Sequence, residues 1–349
     1  MGKITILKSQ EPRQRYRFLS EPLIMKGHDV ELLDTGNISA SIWRMFYHMR
    51  TTRKPDLVIS LGMGLKDFVF YWALKLLRIR IVYRLGGDPV FDNGEVAISA
   101  WSQGRYRSWL KIVINRLAAK YLLKRTAELI VVNQRIKESL EPYLSRSVQT
   151  WVVPQFCRGA AYTRIYRTED PPILLTAANL RYRKKAEGVI LIIKQLAEFV
   201  QKAETNVKLR IAGRGEHHKD IIEYLEHAKL PSGLIVELLG YVEDMDAMYK
   251  EADVFVYHSE HDATPNVLLE SKRWGLPVLL NEYKSFRTIV SNESSGLFYS
   301  DAKTFCEQLD RLLKDKTLRQ RLGEGAAWEH ENKFSIEAVA EKLDNALFR

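Results

Sequence analysis

Cysteine is nearly absent from this chain of 349 residues, with only Cys157 and Cys306 present. Two isolated thiols give neither a disulfide framework nor a metal-ligand spacing, and this usage suits a reducing cytosol. No apolar run approaches the roughly 20 residues needed to cross a bilayer. The opening Lys3-Ile4-Thr5-Ile6-Leu7 reads as a strand rather than a secretory leader. Gly2 would suit N-myristoylation, but Ile6 stands where that signal needs Ser or Thr. Internal repeats and low-complexity tracts are missing as well. Acidic residues are absent from one long stretch, 101–125.

What is present is the composition of a soluble globular protein, 46% hydrophobic and 28% charged. Single cores rarely grow past about 250–300 residues, so two domains are expected. Charge is spread unevenly. Residues 1–150 hold 25 Lys and Arg against 13 Asp and Glu, and the remainder 28 against 30, so the first half carries all of the net +10. Such a field favours anionic partners: phospholipid headgroups, a lipid-linked phosphate or nucleic acid.

Short apolar runs alternate with helical patterns throughout. In the first half the runs are Lys3–Leu7, Val30–Leu33, Asp56–Ser60, Ile79–Leu85 and Leu129–Val132, with helices over 65–77 and 106–125. In the second they are Ile173–Leu175, Lys208–Ala212, Ile235–Leu239, Val254–Tyr257 and Val278–Leu280. Strands separated by crossover helices indicate an α/β fold with parallel, Rossmann-like sheets.

One segment carries most of the chemistry. Asp262-Ala263-Thr264-Pro265-Asn266-Val267-Leu268-Leu269-Glu270 follows an apolar strand and is closed by Gly275-Leu276-Pro277-Val278. Thr264-Pro265-Asn266 reads as a helix start. Unpaired backbone N–H groups at such an end attract phosphate. A carboxylate one turn further in can accept two bonds from vicinal sugar hydroxyls. The combination suits an anionic, polyhydroxylated ligand such as a nucleotide sugar.

The segment resembles the acid-x7-acid signature of retaining GT-B glycosyltransferases of family 4, the glycosyl transferases group 1. Asp262 stands where that family usually has Glu. The resemblance covers nearly the whole chain, with its specific motifs in residues 173–298. It implies two Rossmann-like domains, an acceptor-binding one at 1–152 and a nucleotide-sugar-binding one at 153–330. A terminal helix at 331–349 would pack back on the first, and Val152-Val153-Pro154-Gln155-Phe156 would be the hinge.

The resemblance also implies roles. Asp262 and Glu270 are the expected catalytic acids, with Glu270 on the ribose hydroxyls. Thr264, Asn266 and Val267 would lie near the donor phosphates. Asn179-Leu180-Arg181-Tyr182-Arg183-Lys184-Lys185 resembles the family's diphosphate loop, which makes Arg181 and Lys185 the phosphate ligands, although Lys184 offers the same charge one position earlier. Gly213, Gly215 and Tyr241 are expected at the nucleotide, and ordinary turns or packing would use the same residues. In the first half, Arg84-Leu85-Gly86-Gly87-Asp88 stands where many relatives place an acceptor-side His. Arg84, Gly86 and Gly87 are therefore expected on the acceptor side and Asp88 as a catalytic residue. An Asp after two glycines would equally cap a turn. His258 and His261 lie close enough to the acidic loop to be contacts. No metal ligand set is read from the chain, and the family generally works without metal, so no cofactor beyond the co-substrate is expected.

Across 101–125, Trp101, Arg105, Arg107, Trp109, Lys111 and Arg116 begin a basic, aromatic-rich pattern that suits docking on an anionic membrane. A core-packed helix with a solvated charged face would read alike. Nucleic-acid binding would give similar charge, but no reader motif accompanies it. The function expected is transfer of a hexose, with retention, from a UDP- or GDP-sugar to a cell-envelope glycan or lipid-linked acceptor. The expected location is the cytosolic face of the membrane. The rivals are a sugar-nucleotide epimerase or phosphorylase on the same fold, and a non-catalytic subunit that keeps the fold.

Overall fold

The computed structural model describes residues 2–8, 14–34, 54–166, 171–260 and 262–348, so His261 lies outside the described residues. The chain divides into two compact units, Met1–Phe156 with Ile336–Arg349, and Cys157–Ser335.

The first unit holds β1 (Lys3–Lys8), β2 (Asp29–Asp34), β3 (Leu57–Ser60), β4 (Arg80–Leu85), β5 (Glu128–Val131) and β6 (Gln149–Val152), in the order β2-β1-β3-β4-β5-β6. Every neighbouring pair is parallel. Leu57, Val58 and Ile59 are wholly buried in succession, as expected of a strand covered on both faces. Strand order reverses between β1 and β3, and in open α/β sheets the ligand crevice opens beyond the carboxyl ends at such a point. The terminal helix Ile336–Phe348 belongs to this unit. Val339, Leu343 and Leu347 join Tyr16, Leu19 and Leu23 of the Gln14–Met25 helix in one core. His28 fastens it further, through an Nε2 contact of 2.8 Å to Asp344 and a ring stacked 4.3 Å from Phe348.

The second unit holds β7 (Ile173–Ala177), β8 (Val207–Ala212), β9 (Leu234–Gly240), β10 (Val254–Tyr257), β11 (Val278–Asn281) and β12 (Gly296–Tyr299), in the order β12-β11-β10-β7-β8-β9. All pairs are again parallel. The reversal here lies between β7 and β10. The amphipathic Arg183–Ala203 helix buries Val189, Ile192, Ile193, Leu196 and Val200 against this sheet. Its close approach depends on Gly188, because a Cβ there would stand 2.6 Å from the His258 carbonyl oxygen.

Two strands were not legible from the alternation of apolar runs. In β6, Gln149-Thr150-Trp151-Val152, two polar residues open the strand and none of the four is fully buried. In β12 a glycine opens a four-residue run that is buried throughout.

Candidate active site

The loops that leave β7 and β10 in opposite directions meet at the strand-order reversal of the second sheet. After β7 the chain turns through Ala178–Tyr182 into the Arg183–Ala203 helix, whose N-terminus has no side-chain cap. Its first turn sorts three cations by direction. Arg183 and Lys184 point to solvent and pair with Glu187 at 3.2 and 3.0 Å. Lys185 turns inward and pairs directly with Asp262 Oδ2. The Lys185 ammonium also donates to the Tyr257 hydroxyl at 2.6 Å and the Ser259 hydroxyl at 3.3 Å. Tyr257 in turn donates to Asp262, so the carboxylate is held from two sides. Burial draws the Lys185 ammonium down to about 8.

Beyond Asp262 the Asn266–Arg273 helix starts at Pro265 without a side-chain cap. Thr264 beside it has a buried hydroxyl with no hydrogen-bond partner among the described residues. Asn266 is exposed and Val267 half-buried. One turn in, Glu270 accepts from the Tyr249 hydroxyl at 2.8 Å. Burial raises the Glu270 carboxyl above its usual range; the Tyr249 bond opposes that rise without cancelling it. Arg181, on the loop after β7, is exposed. Two uncapped helix ends, one inward lysine and one orphaned hydroxyl thus surround the carboxyl ends of β7 and β10. Groups of this kind suit a diphosphate.

Gly213 and Gly215 have φ of +148° and +155°, and both meet the loop after β7. A Cβ on Gly213 would sit 2.0 Å from the Ala178 carbonyl oxygen, and one on Gly215 2.1 Å from the Arg181 nitrogen. Their freedom is thus used to bring the β8 loop onto the segment that carries Arg181. Tyr241 is exposed and lies under the Arg214 guanidinium, 4.3 Å from ring centroid to Cζ. His258 contacts the Tyr299 hydroxyl at 3.0 Å.

Sequence reasoning passed over an Asp-x-Asp spacing at Asp244-Met245-Asp246. Both carboxylates are engaged within the protein: Asp244 caps the Met245–Glu251 helix through the Ala247 N–H, and Asp246 takes Arg273 and Trp274 Nε1. It also passed over Tyr249, Tyr257 and a buried pair behind the site. Lys272 is fully enclosed and bonded to Glu329, the Ile289 carbonyl at 2.7 Å and Ser295. Burial pulls Lys272 down to about 8. Burial alone would raise Glu329, but the Lys272 charge, aided by Lys333 and Ser291, outweighs it and holds the carboxyl at about 2.

In the first unit, Arg84, Gly86 and Gly87 line a cavity of about 380 Å³ at the carboxyl ends of β3 and β4. Asp88 is not part of that wall. Its Oδ1 accepts from the Val90 and Phe91 N–H groups at 2.9 Å, capping the Phe91–Ser102 helix. Further along, the Tyr106–Arg125 helix divides lengthwise. Ala118, Ala119, Leu122 and Leu123 are buried in its second half, whereas Tyr106, Leu110 and Ile114 form an exposed stripe in its first that continues to Leu117. Arg105, Arg107 and Lys111 flank the stripe in solvent, Trp101 packs at a tilt against Trp109 with ring centroids 5.0 Å apart, and Arg116 is half-buried.

Residues 163–328 match the family model of glycosyl transferases group 1. The capsular polysaccharide biosynthesis glycosyltransferase CapM of Staphylococcus aureus is 29% identical over 46% of this chain and 42% of its own length, so that match spans less than half of the relative. The amylovoran biosynthesis glycosyltransferase AmsD of Erwinia amylovora is 24% identical over 88% of this chain and 83% of its own. Anabaena HepE in complex with UDP-glucose has the same fold, with a TM-score of 0.68 at 14% identity over 99% of both chains. Residues 163–328 thus match the glycosyl transferases group 1 family, and they lie within a two-sheet GT-B fold.

Proposed function

We propose that the chain is a retaining hexosyltransferase that draws on a UDP- or GDP-sugar held by the second unit. One observation carries the reading: Lys185 and Asp262 meet where β7 and β10 diverge, beside an uncapped helix end and the unpartnered Thr264 hydroxyl. In this reading Lys185 and Arg181 hold the donor diphosphate, with Thr264 and the Asn266 and Val267 backbone beside it. Glu270 takes the ribose hydroxyls, and Tyr249 aims it. Asp262 faces the donor sugar. Gly213, Gly215 and Tyr241 border the nucleotide.

The chemistry needs charge at the leaving group. As the anomeric carbon loses the nucleotide, negative charge grows on the departing phosphate, and fixed cations in a water-poor site stabilise it. The freed phosphate then takes the acceptor proton on the same face, so no separate base is required, and the reading assigns no role to a metal. Support for a UDP-sugar comes from HepE, crystallised with UDP-glucose. Support for an envelope glycan as acceptor comes from CapM and AmsD, both named for polysaccharide biosynthesis.

The acceptor belongs to the first unit in this reading, at the Arg84, Gly86 and Gly87 cavity. Asp88 acts there by shaping the corner as a cap rather than by touching substrate. The exposed stripe of the Tyr106–Arg125 helix and its cations would rest on anionic lipid at the inner face of the membrane. Among the described residues no helix is long and apolar enough to cross a membrane.

The test is a panel of UDP-, GDP- and dTDP-sugars, with thermal stabilisation recorded for each. A donor well above its Kd raises stability by a few kcal/mol, about 2.7 at a hundredfold excess. One base is expected to stand out, and Glu270→Ala to abolish its effect. A flat response to every donor would sink the reading.

A further inference from the structure

Arg84 closes β4 with its guanidinium inside the first unit, and neither Nε nor Nη2 has a hydrogen-bond partner. The residue is only 6% exposed. Buried charges are ordinarily paired, because the hydration they lose is not otherwise replaced. Here the partner is missing among the described residues. Asp88, four positions on, gives Oδ1 to the Val90 and Phe91 N–H groups. Asp67, a half-buried acid at this end of the sheet, takes the Ser60 hydroxyl at 2.6 Å and the Gly64 N–H at 2.8 Å.

Among the described residues, the cavity that Arg84 lines contains no acid. Its walls are Phe18, Leu61, Gly62, Met63 and Gln155, with the Leu85–Gly87 backbone and Pro89. A Cβ on Gly86 would meet nothing within 4 Å, so that side of the wall is open. The two unpartnered nitrogens are also a matched set. Nε and Nη2 lie on one edge of the planar guanidinium and present parallel N–H bonds, the fork that fits two oxygens on one centre.

We propose that this cavity is an oxyanion subsite in which the Nε and Nη2 edge of Arg84 grips a phosphoryl group of the acceptor. That the group belongs to an acceptor rests on the glycosyltransferase reading; that a phosphoryl oxyanion binds Arg84 does not. A phosphoryl group there arrives either as a free ion or as the ester of a lipid. The excess of 25 cations over 13 acids in residues 1–150 favours polyanions in general.

The test uses the full chain with saturating UDP in every sample, and adds sodium pyrophosphate, farnesyl diphosphate or glucuronate. Melting temperature is recorded for the wild type and for Arg84→Met. Either diphosphate is expected to raise the wild-type value further and to leave Arg84→Met unmoved. A greater rise with farnesyl diphosphate assigns the lipid ester as the source, and equal rises assign the ion itself. Without ligand, Arg84→Met is expected to melt no lower than the wild type, since it removes an unpaired buried charge. Should that variant fail to fold, Arg84→Lys keeps the charge but loses the fork, and is expected to bind pyrophosphate about tenfold more weakly.

The proposal is overturned if neither diphosphate moves the wild type, if the rise survives in Arg84→Met or is undiminished in Arg84→Lys, or if glucuronate alone protects. UDP stabilisation reports separately on the second unit. Its absence would count against a UDP-sugar as donor while the Arg84 arm stands or falls by itself.

Discussion

Lys185 and Asp262 are 77 positions apart in the chain and bonded to each other at the strand-order reversal of the second sheet. The pair exists because β7 and β10 are neighbours whose following loops run in opposite directions. The lysine's charge is engaged by the aspartate. In the proposed reading, a donor diphosphate would compete for the same ammonium and free Asp262 to face the sugar.

Removing that ammonium is therefore expected to cost donor binding more than folding. A charge-assisted bond contributes about 1.5–3 kcal/mol, so Lys185→Ala should weaken UDP roughly ten- to a hundredfold by calorimetry. Lys184→Ala should change it little, because Lys184 is exposed and paired with Glu187. Equal losses in the two variants would mean that the phosphate lies elsewhere on the loop.

Binding should also depend on pH through the same group. Burial brings Lys185 down to about 8, below the roughly 10.4 of a free lysine. The charged form predominates below pH 8 and is lost above it, so UDP affinity should fall as pH rises from 7 to 9.5. Lys185→Arg stays charged throughout and should flatten the profile. A wild-type profile that is already flat would contradict the assignment.

The pair behind the site makes a prediction about stability. Glu329 stays ionised to about pH 2 because Lys272 faces it, against roughly 4.3 for a free glutamate. A depressed carboxyl contributes stability above the unfolded value and loses it as pH falls through the folded one. Acid unfolding should therefore draw on this pair between about pH 4 and 2. At neutral pH, Glu329→Gln leaves Lys272 buried and unpaired and should cost about 3–5 kcal/mol in urea unfolding. Lys272→Met/Glu329→Gln removes both charges and should recover most of it.

Docking on membrane is tested by sedimentation with vesicles. The chain should co-sediment with anionic vesicles and not with neutral ones, and the more so at low salt. Each surface cation contributes about 1 kcal/mol, so Arg107→Glu/Lys111→Glu should abolish the effect. Co-sedimentation that survives both changes would assign it to another face.

Much of this was legible in the sequence. Runs such as Leu57-Val58-Ile59 and Val254-Phe255-Val256-Tyr257 announce buried parallel strands, since no polar alternation interrupts them. Asp262 and Glu270 sit on either side of a helix start that Pro265 marks. What the sequence withholds is pairing at long range. Nothing in the spacing tells that Tyr249 reaches Glu270 over 21 positions, or that Lys272 reaches Glu329 over 57. Those contacts are set by strand order and helix rotation, which hydrophobic periodicity does not encode. Asp88 was ambiguous for a different reason: a carboxylate after two glycines suits a cap and a reactive group equally, and only the placed Val90 and Phe91 N–H groups identify the cap.

The central claim is that the second unit holds a sugar nucleotide for transfer, with Glu270 on the ribose. Its most direct test is release of nucleotide from UDP-glucose by the purified chain, compared with Glu270→Ala. The account predicts slow release by the wild type, as water substitutes for the acceptor, and none by the variant. Equal release by both would contradict it.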